Sequence, residues 1–203
     1  MRAPSLPATT EVETLPEAFC WTRFGAEAGE EPDAILSRKE SERRSAGGIF
    51  LWGIGNAVGR SLLALAQTCN SPEVLFSPIA GRPQAEDRGP RSVVRWRSGD
   101  GLNGVPFDLP PGAWVTSRVG SRPRHYALVC SSDSPLDQQG DSSSLDMAAL
   151  INLVSGRPVG SSQTTAVVRQ DPTGSGGRRY PVVVRAQLIS PYLIRLRDPA
   201  VLF

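Results

Sequence analysis

The chain is poor in the residues that carry most enzyme chemistry. Its 203 residues contain a single histidine, His125, and a single lysine, Lys39. Any Ser-His or Cys-His nucleophile system must use that one imidazole. His125 stands in "RPRHYALV", directly after two arginines, and a neighbouring positive field lowers the basicity a general base needs. The three cysteines, Cys20, Cys69 and Cys130, are far apart and form no CxxC pair. With one histidine to help them, they argue against a zinc site of the usual ligand type. The acidic pairs Glu30/Glu31 and Glu40/Glu42, together with Asp198, fall on a polar helix or in loops. None has the apolar setting that raises a carboxyl pKa for acid catalysis. No catalytic residue, metal or cofactor is expected.

Leader and membrane signals are also missing. No cationic segment followed by an apolar stretch opens the chain, and no apolar run reaches the roughly 18 residues of a spanning helix. Sparse, odd cysteines suit a reducing compartment. The expectation is a cytoplasmic protein without membrane contact.

What the chain does have is arginine, glycine, proline and tryptophan. Of 22 basic residues all but Lys39 are arginine, yet the net charge is only +2. A GC-rich genome explains such a bias; so does recognition of phosphates and bases, which suits the planar, bidentate guanidinium. Twenty glycines and 18 prolines favour a loop-rich, strand-rich fold over a helical bundle.

Along the chain, residues 1–16 form a Pro/Thr-rich tail, expected to be flexible, and 17–203 a single domain. "AFCWTRFG" (18–25) is the first strand, and "DAILSRKESERRS" (33–45) a mostly solvated helix with Asp33 as N-cap. "GGIFLWGIGN" (47–56) is a strand and turn leading into the apolar helix 58–69, and "EVLFSPIAG" (73–81) is the next strand. In "VVRWR" (93–97) apolar and basic residues alternate, which puts Val94 and Trp96 on one face. Further strands are expected at 112–120, 125–132 and 192–197. "DSPLDQQGDSSS" (133–144) reads as a flexible insertion, and "LDMAALINLVSG" (145–156) as a helix capped by Ser143 or Ser144. Strands at 161–170 and 180–189 flank "DPTGSGGRR" as a long hairpin with Arg178 and Arg179 at its tip. The total of seven or eight strands and three helices gives an α+β fold with a small curled sheet or barrel and helices inserted near the N-terminus.

The aromatics mark the candidate site. Trp21, Trp52 and Trp96 each lie in or beside a short strand with glycine or arginine close by. Packing in a core is one role for them. Stacking on a single-stranded or extruded base, worth about 1–3 kcal/mol per base, is the other. A base pocket needs edge-pairing groups, for which Asn56, Ser77 and the main chain at Gly53 and Gly55 are the candidates. Phosphate contacts fall to Arg23, Arg60, Arg95, Arg97, Arg178 and Arg179.

These stretches resemble the PUA-like superfamily in its EVE, YTH and ASCH branches. The likeness runs over residues 18–97: the aromatic first strand "FCWTRFG", the turn "GGIFLWGIGN", a short helix with Leu62 ten positions after the Trp, and the strand "EVLFS". The resemblance implies a small β-barrel that reads RNA or modified DNA bases. It places Trp52 in an aromatic cage, with Trp21 and Trp96 as further walls. No counterpart of the ASCH lysine–threonine constellation is present, so the resemblance implies a reader in bacterial defence or RNA modification, with DNA or RNA as its partner. Two other readings stand beside it. One is a subunit whose Trp and Arg surface binds a protein partner; the other is an enzyme on a related barrel acting on a nucleotide or nucleic acid.

Overall fold

The computed structural model describes residues 14–25, 31–55, 58–79, 91–108, 115–118, 126–140 and 143–202, with side chains described outside 91–97, 115–118 and 198–202. The chain runs through β1 (Ala18–Phe24), α1 (Pro32–Ser45), β2 (Ile49–Ile54), α2 (Gly59–Thr68), β3 (Glu73–Pro78), β4 (Arg91–Gly101), β5 (Pro106–Asp108), β6 (Val115–Arg118) and β7 (Tyr126–Ser131). It continues through β8 (Ser143–Asp146), β9 (Leu150–Asn152), β10 (Thr165–Gln170), β11 (Arg179–Val182) and β12 (Val184–Leu202). The fold is α+β, with a mixed multistranded sheet and, among the described residues, two α-helices, both in the N-terminal third where two helices were expected.

Ten strands form one sheet with the path β2-β7-β12-β3-β1-β10-β9, and β4, β5 and β6 branch from β12. Among the described residues only β1 and β3 pair in parallel, Cys20 opposite Val74 through Phe24 opposite Pro78. That parallel step requires a crossover, which α1, β2 and α2 supply. The 19-residue β12 pairs first with β3, then with β7 across a register shift between Leu188 and Leu193, then with β4. Trp52 of β2 touches Phe24 of β1 and Phe76 of β3, although β7 and β12 lie between them in the sheet order. The sheet is therefore curled. Its terminal strands β2 and β9 do not pair with each other, so among the described residues it is open rather than a closed barrel.

Both faces of the sheet are covered. The inner cluster joins Phe50, Trp52 and Phe76 to Leu62 and Leu65 of α2, residues three apart that share one face of that helix. On the outer face, Phe19, Trp21 and Leu75 pack beneath Leu145, Tyr180 and Val182 of the β8–β11 ribbon. A third cluster, around Leu51, Val129 and Ile194, covers the outside of β2, β7 and β12.

Several expectations need correction. Residues 145–156 are not a helix: they form the end of β8, a single 3-10 turn at Met147–Ala149, and β9. The stretch is apolar on every side, so its period does not choose a face. Pairing with β11 and β10 satisfies its backbone instead. The anticipated 161–170/180–189 hairpin is absent as well, since β10 pairs with β1 and β9, and β11 with β8. Its glycine-rich tip lies against the 3-10 turn. A Cβ on Gly174 would come within 2.3 Å of the Ala148 carbonyl oxygen, and one on Gly177 within 2.5 Å of the Ala148 amide. Glycine is needed there for close approach rather than for mobility.

The segment after β7 is packed: Leu136 is buried, its amide donates to Glu40 Oε2 at 3.0 Å, and Gln139 Oε1 accepts the Arg185 amide at 2.8 Å. The end of the tail is packed too, Leu15 against the outer cluster and the Pro16 carbonyl accepting from Gln170. Residues 1–13 lie outside the described residues. The strands expected at 180–189 and 192–197 belong mainly to one long strand, β12. Helix α1 starts at Pro32 with Glu31 at the N-cap, a favoured position for proline, and Asp33 lies in its first turn rather than capping it.

Candidate functional site

Strand alternation divides the predicted site before any ligand is considered. In β1, Phe19 and Trp21 face outward, while Cys20 and Phe24 face the inner cluster. Trp52 of β2 faces inward. The two tryptophans are on opposite faces of the sheet, and the structure does not bring them together into one cage.

Trp21 is 1% exposed, and its Nε1–H donates to the buried Ser77 Oγ at 2.9 Å. Ser77 thus meets the indole rather than a base edge. The ring of Tyr180 stands edge-on to Trp21 at 5.3 Å. Arg23 closes the group. Its Nε donates to the Gln163 carbonyl at 2.9 Å, Nη2 to the Ser161 carbonyl at 2.7 Å and again to Gln163, and Nη1 to the Tyr180 hydroxyl at 3.1 Å. The guanidinium carbon lies 5.2 Å from the Trp21 ring centre and 5.3 Å from that of Tyr180. From the exposed side, the Arg178 guanidinium lies 5.1 Å from the Tyr180 ring centre.

Neither Arg23 nor Arg178 forms an ion pair among the described residues. Arg23, 7% exposed, is held by carbonyl oxygens, the Tyr180 hydroxyl and π-faces, and a guanidinium does not deprotonate to escape burial. Its positive charge therefore stays beside the Tyr180 ring that the exposed Arg178 also meets; Arg179, the next residue, is exposed as well. The loop that carries Arg178 is anchored on Asp146. Its carboxylate accepts from the amides of Ala148, Gly176 and Gly177, each at 2.9 Å. These bonds, with Arg179 nearby, hold its pKa below the usual carboxylate range. Asp146 is thus committed to shaping the loop that presents the two arginines.

Around Trp52 the picture is that of a core. The ring is 8% exposed and meets Phe24 at 5.4 Å and Phe76 at 4.6 Å, both edge-on. Gly53 is half-buried, Gly55 is exposed, and Arg60 is exposed in the first turn of α2. Asn56 lies outside the described residues, as does His125. Trp96 and Arg95 stand in β4 opposite Pro199 and Ala200; their side chains and that of Arg97 are outside the described set. The predicted residues therefore fall into separate places, and Trp21, Ser77, Arg23 and Arg178 gather in one around Tyr180; Arg179, next along β11, donates to Ser144 Oγ at 3.4 Å.

Two features on α1 escaped the sequence reading, which treated its charges as solvated. Lys39, Glu40 and Glu42 are all buried. Lys39 Nζ bonds Glu42 Oε2 at 2.5 Å and also the Leu51 carbonyl, while Glu42 Oε1 accepts the Leu51 amide at 2.8 Å. β2 is a terminal strand, and these two side chains occupy the backbone groups that a further strand would have paired. Burial lowers the pKa of Lys39, partly offset by Glu42.

Glu40 receives Arg43 at 2.7 Å, Arg44 at 2.6 Å and the Leu136 amide. The Arg43 hydrogen bond, ahead of those from Leu136 and Arg44, lowers its pKa from 4.5 to about 2. Because the folded value lies below the ordinary one, the stabilisation is present above pH 4.5 and is lost as pH falls toward 2. Glu40→Gln is expected to cost about 2–3 kcal/mol at pH 7. Denaturation curves of the two proteins should converge on acidification between pH 5 and 2.

Burial pushes the Cys20 thiol up to about 12 and raises that of Cys130, so neither is a ready nucleophile. Asp100 pairs with Arg197. Among the described residues no three His, Cys, Asp or Glu side chains gather as a metal site, and no helix is long and apolar enough to cross a membrane.

No protein-family model, curated protein or solved structure matches the chain. The fold and the clustered residues define it as an α+β protein with an open, curled sheet that carries a cationic, aromatic-backed group on its outer face.

Proposed function

We propose that the chain is a nucleic-acid-binding module whose main contacts are to the phosphate backbone, made by Arg178 above Tyr180 and by the exposed Arg179 next to it in β11. The observation that supports this reading is the stack Trp21–Arg23–Tyr180–Arg178, in which two guanidinium groups have no carboxylate partner among the described residues. Stacking on Tyr180 orients Arg178 while leaving its N–H groups exposed, and such a fork suits phosphate oxygens. A charge fixed beneath the surface strengthens the local field without being exposed to screening by salt. The PUA-like barrel belongs to this proposal, supported by the curl that brings β2 against β1 and β3. So does reading of a modified or extruded base, for which the exposed Gly55 turn and Arg60 are the remaining candidates outside the tryptophan interior.

Labelled single- and double-stranded DNA and RNA, titrated with the protein at 50 and 200 mM salt and followed by anisotropy, test the proposal. Binding is expected to weaken steeply with salt. Arg178→Ala/Arg179→Ala should flatten the salt slope by about 0.7–0.9 for each phosphate contact removed. Absence of binding to every oligonucleotide at low salt, or salt-independent binding, contradicts it.

A further inference from the structure

The start of α1, the end of β1 and the segment after β7 meet around a cleft of about 220 Å³. That is smaller than the roughly 300–1,000 Å³ sites that hold drug-sized ligands, and it suits a single side chain or ring. Phe24, Leu36, Leu136 and Val183 supply its apolar walls, and Phe24 is backed by Trp52. Its charged lining residues are two exposed aspartates, Asp33 and Asp137.

Neither aspartate forms a hydrogen bond or ion pair among the described residues. Ionised carboxylates only accept hydrogen bonds, so the described lining offers acceptors and no side-chain cation. Two positive charges among the described residues near it are committed or small. Arg43, whose charge Asp137 stabilises, is bound to Glu40 and to the Ser132 carbonyl. The amino end of α1 contributes about half a charge, opposite Asp33 in the same turn. An apolar slot with two free carboxylates repels phosphate and carboxylate groups. It complements a cation with an apolar stem.

We propose that this cleft receives an arginine side chain from a protein partner, its stem against Leu36, Leu136 and Val183 and its guanidinium between Asp33 and Asp137. Arginine fits better than lysine because its flat fork bonds carboxylates bidentately and packs on aromatic rings such as Phe24. The inference does not rest on nucleic-acid binding, which belongs to the opposite face of β1.

The test is methyl NMR of the full chain titrated with arginine amide, citrulline amide, adenosine and cytidine. Citrulline keeps the shape of arginine and removes its charge. Shifts of the Leu36, Leu136 and Val183 methyls that saturate with arginine amide, stay absent with citrulline amide and weaken about tenfold or more in Asp33→Asn/Asp137→Asn are expected. Both aspartates are exposed, so the rest of the spectrum should be unchanged in that variant. Equal response to citrulline amide overturns the proposal, as does response to a nucleoside in place of arginine amide, or no methyl shift with any of the four.

Discussion

Glu42→Ala is expected to destabilise the protein by about 3–5 kcal/mol, the range for removing one partner of a buried ion pair. The loss has two parts. Lys39, buried beneath α1, keeps its ammonium without the carboxylate 2.5 Å away, and the Leu51 amide loses its acceptor at 2.8 Å. The Leu51 amide belongs to the terminal strand β2, where no neighbouring strand can substitute, and Lys39 reaches it from α1. Glu42→Gln separates the parts: it retains an acceptor for Leu51 and removes only the charge, so its cost should be the smaller. Urea denaturation at neutral pH measures both. A Glu42→Ala cost within about 0.5 kcal/mol, typical of exposed sites, would mean that the pair is solvated.

Trp52→Ala should cost a similar amount, about 3–5 kcal/mol. The indole fills the inner cluster between Phe24 and Phe76, and its removal leaves a cavity that the curled sheet closes only in part. A tryptophan kept free for stacking on a base gives the opposite result, little change in stability and a large change in binding. Chemical denaturation followed by circular dichroism distinguishes the two. Tryptophan emission adds a check, because a ring this deeply buried should resist quenching by acrylamide or iodide.

The elements that the sequence revealed most clearly are β1, β2, α2 and β3, whose short β-prone or 3.6-periodic apolar runs end at glycine, proline or polar turns. What stayed hidden has a common physical cause. Where both faces of a sheet are covered, alternation tells which residues share a face but not which face meets which core. "AFCWTRF" and "IFLWGI" therefore looked alike, while Trp21 went outward and Trp52 inward. Burial of Lys39 and Glu42 depends on the helix lying along the β2 edge, a tertiary fact that no local period records. Arg178 and Arg179 stood out as candidates by their expected exposure at a glycine-rich tip; Tyr180, the residue that joins Arg178 to Arg23 and Trp21, did not, because Trp21 and Arg23 lie more than a hundred positions away from it in sequence.

The central claim is that nucleic acid meets Arg178 over Tyr180 together with the neighbouring exposed Arg179, and does not enter the tryptophan interior. Its most direct test is one set of oligonucleotide titrations with the wild-type protein, Arg178→Ala/Arg179→Ala and Trp52→Phe, each first shown to be folded. The account predicts a loss of affinity of about tenfold or more, with a flatter salt slope, in the arginine variant, and wild-type affinity in Trp52→Phe. Wild-type binding by the arginine variant, with binding abolished in a folded Trp52→Phe, would contradict it.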